Sequence, residues 1–149
     1  MKLRVAWVQA RPGKDKSSAI HALTAEYAKR ISRSAPLETS EHASEAAFSA
    51  KLAGMKPRPF TVLLDSRGRQ MSSEEFARLL AEHQTRGTQT LLFALGGASG
   101  WPEAAVRSAD LTLSLGKMTL PHELARVVLL EQLYRAFTIL QGHPYHSGH

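Results

Sequence analysis

Cysteine is absent from the 149 residues, which removes disulfide staples, thiolate metal centres and cysteine nucleophiles together. A long apolar run is absent as well. The opening MKLRVAWVQARPGK has no signal-type core, and no later stretch reaches the roughly 20 apolar residues of a membrane span. A cytoplasmic chain is therefore expected. No internal repeat or low-complexity tract occurs, and the only linker-like stretch, 54–59, is too short to separate two folded units. What is present, 43% hydrophobic and 21% charged residues, is ordinary for a globular chain that buries a core. One domain over residues 1–149 is expected, burying roughly 70% of the surface its unfolded form would expose.

The charge is one-sided. Residues 1–59 carry 11 Lys and Arg against 5 Asp and Glu, whereas residues 60–149 carry 8 of each, so the whole net charge of +6 sits in the first part. Such a distribution suits a polyanion binder, because each phosphate contact releases condensed counterions. It also suits a plain solvated basic face. Charge alone leaves both readings open.

Strands and helices alternate along the chain. Leu3–Val8 and a brief Leu37–Ser40 read as strands, separated by a loop at Arg11–Lys14 and a helix capped by Ser17 or Ser18 and running to about Ser34. In that helix Ile20, Leu23, Tyr27 and Ile31 form an apolar stripe, and Lys29, Arg30 and Arg33 lie opposite. An Ala-rich helix follows from about Ala43 to Ala53, ended by Gly54. Phe60–Leu64 is a continuous apolar run, the pattern of a parallel strand covered on both faces, with Asp65–Gly68 as a turn after it. Ser72 and Glu75 fit a capping box opening a helix that Gly87 closes. Thr90–Leu95 and Leu111–Leu115 complete the strands, with a short helix from Pro102 between them. The alternation predicts an α/β fold with a mainly parallel sheet flanked by helices. The last helix, about Pro121 to Leu140, is apolar on several sides through Leu124, Val127, Val128, Leu130, Leu133, Tyr134, Phe137 and Leu140. It needs a second packing element besides its sheet, and a partner subunit is one candidate.

Three segments end strands: Leu64-Asp65, Gly96–Gly100 and Leu115–Leu120. Ligands of open parallel sheets bind beyond the carboxyl ends of strands, so these loops are expected to share one crevice. Glycine lets a ligand approach the backbone closely, although GGASG also serves as a bare turn, and it matches neither a dinucleotide fingerprint nor a P-loop. Glu131 and Arg135, four apart, read as an ordinary helix-surface ion pair. His122 reads as a polar group near a helix start that Pro121 opens. His143, His146 and His149 invite a metal reading, but Pro144 should keep this tail extended, and an extended segment does not gather three imidazoles on one tetrahedral face. No metal site is expected.

Taken in order, LLDSRG, LFALGGASGW, LSLGKMTLPHELARVVLLEQLYRA and HPYH resemble the ribosomal RNA large subunit methyltransferase H family of the SPOUT superfamily, over essentially the whole chain. The match is looser before Phe60. The resemblance implies an α/β knot with a C-terminal trefoil, in a homodimer without membrane or metal. It implies methyl transfer from S-adenosylmethionine to N3 of a pseudouridine in 23S rRNA, within the ribosome. Cofactor contacts would fall on Leu64, Gly96, Leu115, Gly116, Lys117, Met118, Thr119 and Leu120. Tyr145 and His146 would orient the base or assist loss of its proton, supported by His122 and Arg135, while basic residues of the first helix hold phosphates. One departure stands out: the family tail commonly continues HPYH with a basic residue, and here it is Ser147. Arg126, Arg135 or a partner's cation could supply the missing charge. The departure keeps two alternatives in view, an RNA-binding or ribosome-associated dimer of the same fold with weak or no catalysis, and a SPOUT methyltransferase acting on another RNA.

Overall fold

The computed structural model describes residues 1–9 and 18–147. Its elements run β1 (Lys2–Val8), α1 (Ser18–Ser32), β2 (Leu37–His42), α2 (Glu45–Ala53), β3 (Phe60–Gln70), α3 (Ser73–Arg86), β4 (Thr90–Leu95), α4 (Glu103–Ser108), β5 (Leu111–Ser114) and α5 (His122–Leu140), then a 3₁₀ turn at Pro144–His146. The expected loop at Arg11–Lys14 and the Ser17 cap lie outside the described residues. Five strands pair in the order β2-β1-β4-β3-β5, and every pairing is parallel. The parallel α/β expectation holds.

Side-chain alternation in the strands explains the two layers of helices. Leu3 and Val5 of β1, Val62 and Leu64 of β3, and Leu91, Phe93 and Leu95 of β4 face one way, packed under α1, α3 and α5 through Ile31, Phe76, Leu80, Leu130, Leu133 and Phe137. Ala6, Val8, Leu63, Leu92 and Ala94 face the other way, against Phe48 of α2 and Trp101 beside α4. A strand covered on both faces needs apolar residues at every position, which is why Phe60–Leu64 and Leu91–Leu95 read as unbroken runs. The local stop signals act as their residues predict. Ser72 accepts a hydrogen bond from the Glu75 amide while the Glu75 carboxylate accepts one from the Ser72 amide, and Gly87 ends α3 in the left-handed conformation.

Several local expectations need correction. Residues 65–68 are not a turn that ends β3; they are a bulge within it, since Leu64 and Arg69 both stand opposite Leu113 of β5. The Asp65 carboxylate accepts from the Arg67 amide at 3.0 Å, so the turn chemistry is present but the strand resumes after it. β5 stops at Ser114, one residue early, because the Ser114 hydroxyl donates to the Gly116 carbonyl and accepts from the Gly116 amide, bending the chain. Leu23 drops out of the α1 stripe at 42% exposure. Within the chain α1 packs on α5, where Tyr134 meets Tyr27 with ring centroids 6.3 Å apart. Nor is the tail extended. Pro144 starts a 3₁₀ turn capped by the His143 imidazole, which accepts from the Tyr145 amide.

Candidate active site

The parallel register brings β3 and β4 to a common edge, with Leu64 opposite Leu95 as their last pair. Beyond that edge lies a cleft of about 250 Å³. Leu64, Gly96, Leu115, Gly116, Lys117, Met118, Thr119 and Leu120 all line it, as do Asp65, Leu95, Gly97, Gly100 and His122. Every residue assigned to the cofactor by resemblance is thus in one place. The glycines there differ in what they do. A Cβ on Gly96 would sit 3.3 Å from the Trp101 indole nitrogen, so this glycine makes room for the protein's own side chain. At Gly116, φ is +139° and a Cβ would meet nothing within 4 Å. That position borders open cleft.

The Gly96–Trp101 loop is held from two sides by groups the sequence reading did not single out. Glu45, in the first turn of α2, accepts a hydrogen bond from the Gly97 amide at 3.1 Å. Arg67, from the β3 bulge, donates to the Trp101 carbonyl at 2.7 Å and grips both Asp65 oxygens at 2.8 Å. The Arg67 hydrogen bond lowers the Asp65 carboxyl from its ordinary 3.8 to about 2, against the opposing effect of burial. Because the folded value is the lower one, this stabilisation is complete above the ordinary aspartate range and is lost as pH falls through about 2. Arg67 is half exposed, so screening limits the effect to about 1–2 kcal/mol. In urea unfolding between pH 4 and 2, Asp65→Asn is expected to flatten the acid loss of stability by that amount. An unchanged slope would mean that the pair does not hold the loop.

Of the four side chains assigned to catalysis, only His122 borders the cleft. Arg135 lies 13 residues further along α5, about 20 Å at 1.5 Å per residue. It joins Tyr145 and His146 in a second cluster. The Tyr145 hydroxyl donates to Glu131 at 2.7 Å, Arg135 pairs with the same carboxylate at 2.8 Å, and the Arg135 guanidinium lies 4.9 Å from the Tyr145 ring centroid. Arg135 also approaches His146 Nδ1 at 2.9 Å, and His146 Nε2 meets Glu74 at 2.7 Å. Guanidinium only donates, so Nδ1 accepts and Nε2–H donates to Glu74.

The Glu131–Arg135 pair is therefore not the plain surface bridge expected from spacing; both side chains are less than one-fifth exposed and the tail closes over them. Burial raises the Glu131 carboxyl, but hydrogen bonds from Arg135 and Tyr145 outweigh it, and the net shift is downward. Burial, then the bond to Glu131, raises the Tyr145 hydroxyl well above the usual tyrosine range. In this arrangement the Tyr145 hydroxyl is committed as a donor to Glu131.

The candidate cations separate equally clearly. Arg126 is 1% exposed, 4.2 Å from the Trp7 ring centroid, and cannot stand in for a basic tail residue. Lys29 of α1 and Arg33 in the turn just after it are exposed, whereas Arg30 pairs with Glu26 at 2.9 Å and lies over the Tyr27 and Tyr134 rings. Among the described residues no helix is long and apolar enough to cross a membrane, and no group of three or more His, Asp or Glu side chains could hold a metal.

The chain is similar to known proteins along essentially its whole length. A family model described as "Predicted SPOUT methyltransferase" matches residues 1–146. The ribosomal RNA large subunit methyltransferase H of Koribacter versatilis (strain Ellin345) is 55% identical, with all of both chains aligned. Its namesake in Geobacter sp. (strain M21) is 43% identical over 98% of this chain and 99% of its own. Among solved structures, the tRNA (m1G37) methyltransferase of Aquifex aeolicus superposes with a TM-score of 0.60 at 13% identity, covering 91% of this chain and 70% of that one. That likeness is one of fold. The chain belongs to the SPOUT methyltransferase family, beside relatives named ribosomal RNA large subunit methyltransferase H.

Proposed function

We propose that the protein is a methyltransferase that uses S-adenosylmethionine to modify N3 of a pseudouridine in 23S rRNA, acting as a cytoplasmic homodimer on the ribosome. The observation that carries the reading is the convergence of the β3 bulge and the loops after β4 and β5, far apart in sequence, on one cleft. The residues there suit a sulfonium nucleoside. Leu64, Leu95, Leu115 and Leu120 offer apolar walls to an adenine ring, Gly96 and Gly116–Leu120 offer backbone polar groups, and at Gly116 there is space that any side chain would take. When bound, the cofactor supplies an electrophilic methyl: the N3–C bond forms as the S–C bond breaks and the electron pair stays on sulfur.

The protein's part is positioning and charge. The ring nitrogen must first lose its proton, and the resulting anion needs a cation nearby. Arg135 answers that need; it already touches the tail, which lacks a basic residue at Ser147. Tyr145 and His146 orient the base, and His122 flanks the donor. Since the tail cluster lies two to three helical turns from its own chain's cleft, a homodimer offers a second route, in which a partner's tail meets this cleft. Exposed Met118, Leu124 and Leu140 are apolar surface that a partner could cover. The reading includes one domain over 1–149 and the family's trefoil knot, with which a sheet order placing β5 beyond β3 agrees. Lys29 and Arg33 supply phosphate contacts.

Methylation at N3 blocks the Watson–Crick edge, so reverse transcription should stop at one nucleotide of 23S rRNA from cells with the gene and read through in its absence. Added S-adenosylmethionine should raise the melting temperature of the purified protein. Identical stop patterns in both strains would overturn the rRNA assignment.

A further inference from the structure

Between the cofactor cleft and the tail cluster lies a second cavity, of about 160 Å³. Phe76 of α3, Leu113 of β5 and Val128 of α5 form its apolar walls, while Ser73, Ser114 and Gln132 bring polar groups to it. It borders the cofactor cleft along Ser114 and Leu115, which line both. On its other side it touches the tail cluster twice. Gln132 donates to Glu131 at 3.1 Å, the carboxylate that Tyr145 and Arg135 share, and Ser73 directly precedes Glu74, the partner of His146.

We propose that this second cavity receives the acceptor base, and that Gln132 and Ser73 are substrate-binding residues that read its edge. The proposal rests on the methyl-transfer reading and adds where the base sits. A base must leave its stack to be methylated at N3 and needs a flat slot between apolar faces. Among the described residues no charged side chain lines the cavity, so it suits a neutral heterocycle and not a phosphate. Its polar chemistry fits as well. Ser73 Oγ donates to Gln132 Oε1 at 2.7 Å, which leaves the serine oxygen's lone pairs as acceptors. Gln132 has two amide hydrogens and Glu131 takes one, leaving the other as a donor. An acceptor beside a donor complements the N1–H and neighbouring C2=O of a pseudouridine ring, which leaves its N3 edge to face the methyl donor. After N3 loses its proton, the Gln132 amide still has an acceptor to meet. The placement also closes the gap along α5, because the base would have the methyl donor on one side and Arg135 with the tail on the other.

The test uses the full-length protein and ribosomes from cells lacking the gene, with radiolabelled S-adenosylmethionine as donor. Gln132→Met keeps the length of the side chain and removes the amide; Ser73→Ala removes the hydroxyl. Each is expected to lower kcat/KM for ribosomes by about 10- to 100-fold, with cofactor Kd by calorimetry and the melting temperature unchanged. Val128→Phe, which fills the cavity, should do the same. Wild-type rates in both polar variants would overturn the proposal, as would a parallel loss of cofactor affinity. If the wild-type protein binds the cofactor yet methylates no ribosome, the methyl-transfer reading fails and the base pocket with it; an active wild type with both polar variants indifferent sinks the pocket alone.

Discussion

Arg135→Leu is expected to lower single-turnover methyl transfer by about 10²- to 10³-fold, the range seen when a preorganised charge partner is removed from a reacting anion, while cofactor Kd stays within about twofold. The two effects separate because Arg135 lies just under three helical turns beyond Ala125, the last residue of α5 that lines the cleft. The guanidinium binds Glu131 through Nε and Nη2 at 3.2 and 2.8 Å and reaches His146 through Nη1. Its loss leaves a largely buried carboxylate with Tyr145 as its tail partner among the described residues. Arg135→Lys keeps the charge but not the fork, so it should recover only part of the rate. If transfer and cofactor affinity fall together in Arg135→Leu, the residue supports the cleft and not the chemistry. If neither falls, the tail cluster is not part of the reaction.

That experiment bears on a part of the protein that the sequence disclosed unevenly. Four of the five strands were legible because apolar patterns are local, as were the Ser72 capping box and the Gly87 stop, whereas β2, LETSEH, has no such pattern. The cofactor segments were legible for a related reason: two of them directly follow β4 and β5, Leu64 ends the pairing of β3 with β4, and parallel strands deliver these positions to one side. Contacts set by how the chain returns on itself were not. Gly97 and Glu45 are 52 residues apart, Trp101 and Arg67 are 34 apart, and His146 and Glu74 are 72 apart. No periodicity records such pairs. The Glu131–Arg135 pair shows the limit most plainly. Its spacing correctly indicated an ion pair, yet nothing four residues away revealed that Tyr145 would fold back onto the carboxylate and bury it. The bulge at 65–68 is a similar case. Asp65 and Gly68 are turn residues and do turn the chain, but strand pairing with β5 then resumes, which only the neighbouring strand determines.

The glycines allow the cofactor cleft to be tested without the ambiguity that Gly96 carries. A side chain at Gly96 would press on Trp101, so a binding defect there would mix a displaced indole with a blocked ligand. Gly116 avoids this, since its Cβ would enter open space at the cleft wall. Gly116→Val is therefore expected to weaken S-adenosylmethionine binding by more than about 100-fold, through occupied volume and through backbone strain of about 1–3 kcal/mol at its positive φ. Strain alone needs its own measure, and Gly87 provides it. Gly87 also has a positive φ and open space around its Cβ position, but it caps α3, away from the cleft residues. Gly87→Val should lower the melting temperature by a comparable amount and leave cofactor affinity unchanged. Calorimetry on the two variants then distinguishes a filled ligand site from a weakened fold, and equal affinities in both would mean that the loop after β5 does not hold the methyl donor.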